Sequence, residues 1–260
     1  MSQDLSNRIG VVTGASSGIG EAIVRTLGAQ GARVVVNARR KERLGRICAE
    51  INEGAEDSRA IPHAGDASDR RTVEGMLNRA LDHFGREADL VVVNAGRGLN
   101  GSVLTSDPGE WEEMIRTNLM GAARLMRAAA KRMLNDLGNA AWQERPRDIV
   151  VIGSVVGRHV SPFSSMYGST KFAVNSLAEA LRREVSPKGI RVTLIEPGFV
   201  KSEFQGVAGY DPAWFEGVVE KIGPVLEPAD VARSVSFITS QPAHVHVSDV
   251  LVRPTRQEYP

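Results

Sequence analysis

Short, valine-rich apolar runs alternate with segments of helical periodicity along nearly the whole chain, and this limits the fold more than any other feature. Apolar runs at Ile9–Thr13, Arg33–Ala38, Arg59–His63, Leu90–Asn94, Ile149–Gly153, Arg191–Glu196 and Ser248–Val252 read as strands. Between them, helical patterns cover Gly18–Gln30, Lys41–Asn52, Asp69–Phe84, Pro108–Asn135, Ser165–Ser186 and Pro228–Thr239. Asp107-Pro108-Gly109-Glu110 marks one helix start, with Asp as cap, Pro in the first turn and Glu reaching back. Consecutive parallel strands need helical crossovers, which fall on both faces of the sheet. The expectation is an α/β fold: one doubly wound sheet of about seven parallel strands, with a ligand beyond the strands' carboxyl ends.

Its 260 residues, 42% of them hydrophobic, are enough for one large core, so residues 1–260 are expected to form a single domain. The polar connection 135–147 is expected to run extended over the surface, and the glycine-bearing stretch 200–223 to act as a lid or to pack as a helix. The 32 basic and 31 acidic residues balance, with no basic block to meet a nucleic acid. Cys48 is the only cysteine, so neither an intrachain disulfide nor a cysteine metal cluster can form. His244 and His246 lack a third ligand, and no metal is expected. No apolar run reaches the roughly 18 residues that span a bilayer, and the first residues carry no apolar signal core. These features suggest a soluble protein of a reducing, cytoplasmic compartment.

The segment Thr13-Gly14-Ala15-Ser16-Ser17-Gly18-Ile19-Gly20 joins the first strand to the first helix. Glycines there let the backbone approach a pyrophosphate, whose charge then faces helix N-terminal amides. Ser16 and Ser17 add hydroxyl donors. At the tip of the second strand, Ala38 stands where a carboxylate would hold ribose hydroxyls, and Arg39 and Arg40 follow. Guanidinium suits a 2′-phosphate, so NADP(H) is expected over NAD(H). The alternative is that these arginines are a solvated helix start.

Tyr167 and Lys171 are four residues apart on one expected helix and share a face. A phenol ionises near pH ~10, and a neighbouring ammonium is expected to lower that value. Such a tyrosine can donate a proton to a carbonyl oxygen, or remove it in reverse, as hydride moves. Ser154 follows an apolar strand and can hydrogen-bond the substrate oxygen, though by itself it reads equally as a strand-end cap.

In order and spacing these residues resemble the short-chain dehydrogenase/reductase family, from Ile9 to about Ile238. The resemblance rests on the Thr13–Gly20 turn, Asp66-Ala67, Asn94-Ala95-Gly96, Asn118, Ser154, Tyr167-x-x-x-Lys171 and Pro197-Gly198. It implies a Rossmann fold and a catalytic set of Asn118, Ser154, Tyr167 and Lys171. Asn118 would hold a relay water near Lys171, and Lys171 would reach the nicotinamide ribose. Asp66 and Ala67 would flank adenine, and Asn94-Ala95-Gly96 would support the cofactor. Gly14, Gly18, Ile19 and Gly20 would carry the pyrophosphate, and Pro197, Gly198, Val200 and Ser202 would lie along the nicotinamide side. Ser202 stands where threonine is commoner in the family. The resemblance also implies a homotetramer or homodimer, with the Asn118 and Tyr167 helices at the interface.

Expected pocket walls are Val155, Val156, Phe163, Phe199, Phe204, Trp214 and Phe215. Arg158 and His159 could hold a substrate carboxylate or lie on loop surface. Trp111 reads as helix packing. The tail Val245–Gln257 is similar to the serine or 3-hydroxy acid dehydrogenase and clavulanate-type aldehyde reductase branch. Ile152–Gly157 is instead similar to 3-oxoacyl-[acyl-carrier-protein] reductases. The favoured substrate is a small carbonyl or alcohol: a 3-hydroxy acid, ketone or aldehyde. A dinucleotide sensor without turnover is the alternative from another class, and it would be expected to lack the tyrosine or lysine.

Overall fold

The valine-rich runs pair side by side as β1 (Ile9–Val12), β2 (Arg33–Ala38), β3 (Ala60–Ala64), β4 (Leu90–Val93), β5 (Arg147–Ile152), β6 (Ile190–Pro197) and β7 (Asp249–Val252). The computed structural model describes residues 4–55, 57–138 and 141–259. Expectations for the extreme N-terminus and for positions 139 and 140 of the polar connection fall outside them. All seven strands are parallel, in the order β3-β2-β1-β4-β5-β6-β7. The doubly wound α/β expectation holds.

Alternation along each strand divides the core in two. Val35, Val11, Val91, Ile149 and Val192 are in register across five strands and share one cluster. That face is covered by α3 (Arg70–Phe84), α5 (Ala122–Leu137) and α6 (Ser165–Val185). One residue on, Val36, Val12, Val92 and Val150 make the matching row on the other face. There α1 (Gly18–Ala29), α2 (Lys41–Asn52) and α9 (Pro228–Thr239) cover them. Each fully buried Val or Ile stabilises by about 1.5–3 kcal/mol, so both rows hold their register firmly.

β5 starts earlier than its apolar run, because Arg147 and Asp148 are buried by pairing. Asp148 accepts from Arg8 Nη2 at 2.7 Å and from Arg191 Nε at 2.7 Å, and Arg8 Nε donates to Asp89 Oδ1 at 2.8 Å. This ionic floor lies at the amino ends of β1, β4, β5 and β6.

The expected helix over 108–135 is segmented. A 3₁₀ turn at Pro108–Glu110 leads into α4 (Trp111–Ile115), a π-helical turn at Arg116–Gly121, and then α5. Asp107 caps the start by accepting from Gly109 N at 2.9 Å, but Glu110 turns to Arg97 rather than reaching back. The described residues of the 135–147 connection, apart from the buried Arg147, lie at the surface, as expected, and are fastened there. Asp136 binds Arg145 and Arg147, and Trp142 packs on Gly189, where a Cβ would lie 2.3 Å from it. The stretch 200–223 folds into α7 (Phe204–Ala208) and α8 (Pro212–Ile222).

Candidate active site

Chain order reverses between β1, which leads to β2 and β3, and β4 on its other side. A crevice opens there at the strands' carboxyl ends. It is a cleft of about 1460 Å³, running from Arg39 and Arg40 past the glycine turn to Ser154 and Tyr167.

At its floor, Gly14 has φ +66°, a left-handed conformation that glycine adopts without strain. A Cβ on Gly20 would lie 2.4 Å from Gly14 O, so α1 can meet the turn this closely only without a side chain. Ser17 is the α1 N-cap, but its side chain makes no capping bond, which leaves first-turn amides for an anion. Asn94 Nδ2 donates to Thr13 O at 2.9 Å, and Thr13 Oγ1 accepts from Asn94 N and Ala95 N at 3.1 Å. These bonds tie the turn to β4. The arrangement fits a dinucleotide: a bare backbone cradle, open amides and a long cleft.

The cleft is lined by Gly14, Ser16, Ser17, Gly18, Ile19, Gly20, Arg39 and Arg40. Asp66, Ala67, Asn94, Ala95, Gly96, Pro197, Gly198, Val200 and Ser202 continue it. Asp66 is engaged by its surroundings, accepting from Ser68 N at 2.8 Å and Arg116 Nη2 at 2.8 Å. Burial works against its ionisation, yet these bonds hold its carboxyl below the ordinary range.

Ser154 precedes a 3₁₀ turn at Val155–Gly157, and Tyr167 and Lys171 rise on α6 beside it. Both of the latter are buried, and Ser154 stands close enough to the Tyr167 phenol to lower its pKa. Lys171 Nζ donates to Ile152 O at 3.0 Å and lies 5.8 Å from the centroid of the Tyr167 ring. The expected lowering of the phenol pKa is corrected here. Burial pushes Tyr167 above the ordinary phenol range, and the charge of the nearby Tyr210 phenol adds to the rise, against the lowering influence of Ser154. Burial also pushes Lys171 down, to about 8. Desolvation outweighs the mutual help that the spacing alone promised.

Asn118 does not line the cleft. It sits buried in the π-turn, where its Oδ1 accepts from Arg97 N at 2.8 Å. Its Nδ2 donates to Arg97 O at 2.8 Å and to Thr170 Oγ1 at 3.1 Å. Its side chain therefore clamps the loop after β4 to α6, immediately under Gly96 and Lys171.

Val155, Val156, Phe163, Phe199, Phe204 and Trp214 line the cleft, while Phe215 does not. Phe215 stands off from the cleft, 6.4 Å from Phe199 between ring centroids, because α8 turns Trp214 inward instead. Tyr210, which the sequence reading missed, links Phe204 (6.4 Å) to Trp214 (5.5 Å), and Phe204 in turn meets Tyr167 at 5.5 Å. The tail was also underestimated: Thr255–Tyr259 lines the cleft, and Gln257 Oε1 accepts from Phe199 N at 3.0 Å. Tyr210 lies in the loop between α7 and α8, where no periodicity could have marked it, and nothing local marked Gln257. Arg158 is not free for a substrate carboxylate, since it donates to Glu196 Oε2 at 2.7 Å and also binds Asp249. Trp111 packs as expected, with Nε1 donating to Ser106 Oγ at 3.0 Å, and His246 is bonded to Val192 O at 2.9 Å.

The short chain dehydrogenase family profile matches residues 8–211, which hold the turn, the tyrosine, the lysine and the serine. The chain belongs to the short-chain dehydrogenase family. It is 31% identical over 250 residues to an uncharacterised oxidoreductase of Staphylococcus epidermidis, covering 96% of this chain and 98% of that one. A Staphylococcus aureus oxidoreductase is 33% identical over 251 residues, with the same coverage. Among solved structures, a Thermococcus sibiricus alcohol dehydrogenase complexed with 5-hydroxy-NADP matches with a TM-score of 0.82 at 29% identity, covering 97% of this chain and 99% of that one. A serine dehydrogenase complexed with NADP⁺ matches at 0.81 and 30% identity, covering 96% of each chain. The 3-ketoacyl-(acyl-carrier-protein) reductase of Brucella melitensis, complexed with NADH, matches at 0.85 and 25%, covering 97% and 99%. This short-chain dehydrogenase is thus an oxidoreductase with a nicotinamide dinucleotide site. No helix among the described residues is long and apolar enough to cross a membrane.

Proposed function

We propose that the protein is an NADP(H)-dependent oxidoreductase of small carbonyl and alcohol substrates, with Tyr167 as the general acid and base. One observation carries this reading: a single cleft joins the bare glycine cradle to Ser154, Tyr167 and Lys171. The bound nicotinamide supplies or accepts the hydride. Ser154 donates to the substrate oxygen and stabilises the charge that develops there. Tyr167, protonated throughout the neutral range, donates its proton to that oxygen in the reductive direction. Oxidation needs the phenolate, so alkaline pH favours it. Lys171 stands beside the phenol on α6, placed to reach the nicotinamide ribose, and Asn118 holds the backbone beneath it.

Ala38 at the β2 tip, followed by Arg39 and Arg40, supports NADP(H) over NAD(H). The aromatic wall of Phe199, Phe204, Tyr210 and Trp214, closed by Gln257 and Tyr259, suits a small substrate. Arg256 also lines the cleft, and its guanidinium suits an acid group such as that of a 3-hydroxy acid. Cys48, buried and reduced, fits a cytoplasmic setting.

The test is a panel of small ketones, aldehydes, 3-hydroxy acids and acyl thioesters with both cofactors, run on wild type and Tyr167→Phe. NADPH-linked turnover of small substrates is expected, falling by about 10²–10⁴-fold in the variant. Activity confined to acyl thioesters would move the assignment to a 3-oxoacyl reductase. A fully active phenylalanine variant would remove Tyr167 from the mechanism, and dinucleotide binding without turnover would make the protein a sensor.

A further inference from the structure

Across the mouth of the phosphate turn, a carboxylate of the 200–223 segment sits on Arg40, one of the two arginines assigned above to the adenosine end, and on Arg43 one helical turn further along α2. Glu203 Oε2 accepts from Arg40 Nη1 at 2.9 Å, and its Oε1 accepts from Arg43 Nη1 at 2.6 Å. The same Arg40 donates through Nε to Ser16 Oγ at 3.0 Å and through Nη2 to Ser17 Oγ at 2.7 Å. A hydroxyl that accepts from a guanidinium keeps its own proton to donate, so Arg40 aims both serines at an anion in the turn. Ser202, the residue before Glu203, closes over Gly18: a Cβ added there would lie 3.3 Å from Ser202 Cβ. The segment therefore reaches over the turn and is fastened on its far side.

We propose that Glu203 is a cofactor-discriminating latch, whose carboxylate competes with a 2′-phosphate for Arg40 and Arg43. The inference rests on the reading that Arg39 and Arg40 mark the adenosine ribose. A hydroxyl at that ribose position leaves the two Glu203 ion pairs intact. A phosphate dianion brings like charge to the same guanidinium groups, and Glu203 must give way or be repelled. Glu203 also opens α7, which carries Phe204 of the aromatic wall, so the exchange is felt at the substrate end. The carboxylate thus restrains NADP(H) binding relative to NAD(H), although the arginines themselves favour the phosphate.

The test is calorimetric titration of NADPH and NADH into wild type, Glu203→Gln and Glu203→Ala, with thermal melting as the control for folding. Glu203 is half exposed, and its removal is expected to leave the melting temperature unchanged. Both variants should shift the ratio of the two dissociation constants towards NADPH by about tenfold, the size of one charged hydrogen bond released. A ratio within about twofold of wild type, or a shift towards NADH, would overturn the latch. The wild-type ratio is a separate result: tighter NADH there would sink the NADP(H) preference and leave the effect of Glu203 to be judged from the variants.

Discussion

Lys171 is held inside the protein with a main-chain partner, Ile152 O, and its ammonium is pushed down to about 8 by burial. A base whose folded pKa lies below its unfolded value of 10.5 costs stability wherever it is charged in the folded state. The full cost is carried below about pH 8 and disappears as pH rises towards 10.5. Lys171→Met, similar in volume and uncharged, is therefore expected to raise stability at pH 7 by on the order of 1–3 kcal/mol while abolishing turnover. The gain should shrink between pH 8 and 10.5, as urea midpoints at several pH values would show. A variant weaker than wild type at pH 7 would mean that the ammonium is well solvated after all. The pairing of Tyr167 with Lys171 was legible from spacing. The direction of their pKa shifts was not, because desolvation depends on what α6 packs against.

Among the elements, the β1–α1 unit was the plainest in the sequence, because its glycines are dictated by local geometry. Gly20→Ala would put a methyl 2.4 Å from Gly14 O and 2.6 Å from Asn94 Nδ2, the amide that ties β1 to β4. It is expected to cost about 1–3 kcal/mol in thermal or urea unfolding and to abolish dinucleotide binding. Gly45 in α2 has nothing within 4 Å, so Gly45→Ala should instead stabilise by up to about 1 kcal/mol. Equal effects at the two sites would refute the close-approach argument. The π-turn at Arg116–Gly121 was hidden, since nothing local distinguishes it from α-helix. It coincides with Asn118 clamping Arg97 to Thr170, contacts across 21 and 52 residues. A helix within 200–223 was one of two readings, but the division into α7 and α8 was hidden, since five and eleven residues give little periodicity to read.

For the molecule as a whole, the carboxyl ends of the strands carry the cleft and the amino ends carry the ionic floor. Arg8 bridges Asp89 and Asp148, and all three are almost wholly buried. Burial raises the Asp89 pKa, opposed by Arg8, so removing the arginine leaves a carboxylate that is poorly compensated inside the protein. Arg8→Met is expected to lose about 3–5 kcal/mol in urea unfolding at pH 7. An acid whose folded pKa is raised costs stability above that pKa and recovers it on protonation, so the loss should shrink as the pH falls towards the acid range. A loss below about 1 kcal/mol at pH 7 would show that Arg86 and Arg145 already suffice for Asp89.

The strand–helix alternation, the glycine turn and the tyrosine–lysine pair were determined by the chain alone, because each depends on neighbours within a few residues. Tertiary structure decided the rest: the burial that sets the two pKa values, Gln257 on Phe199, and Glu203 on Arg40. Those contacts join residues 58 and 163 positions apart, and no local pattern specifies which distant surface a side chain will meet.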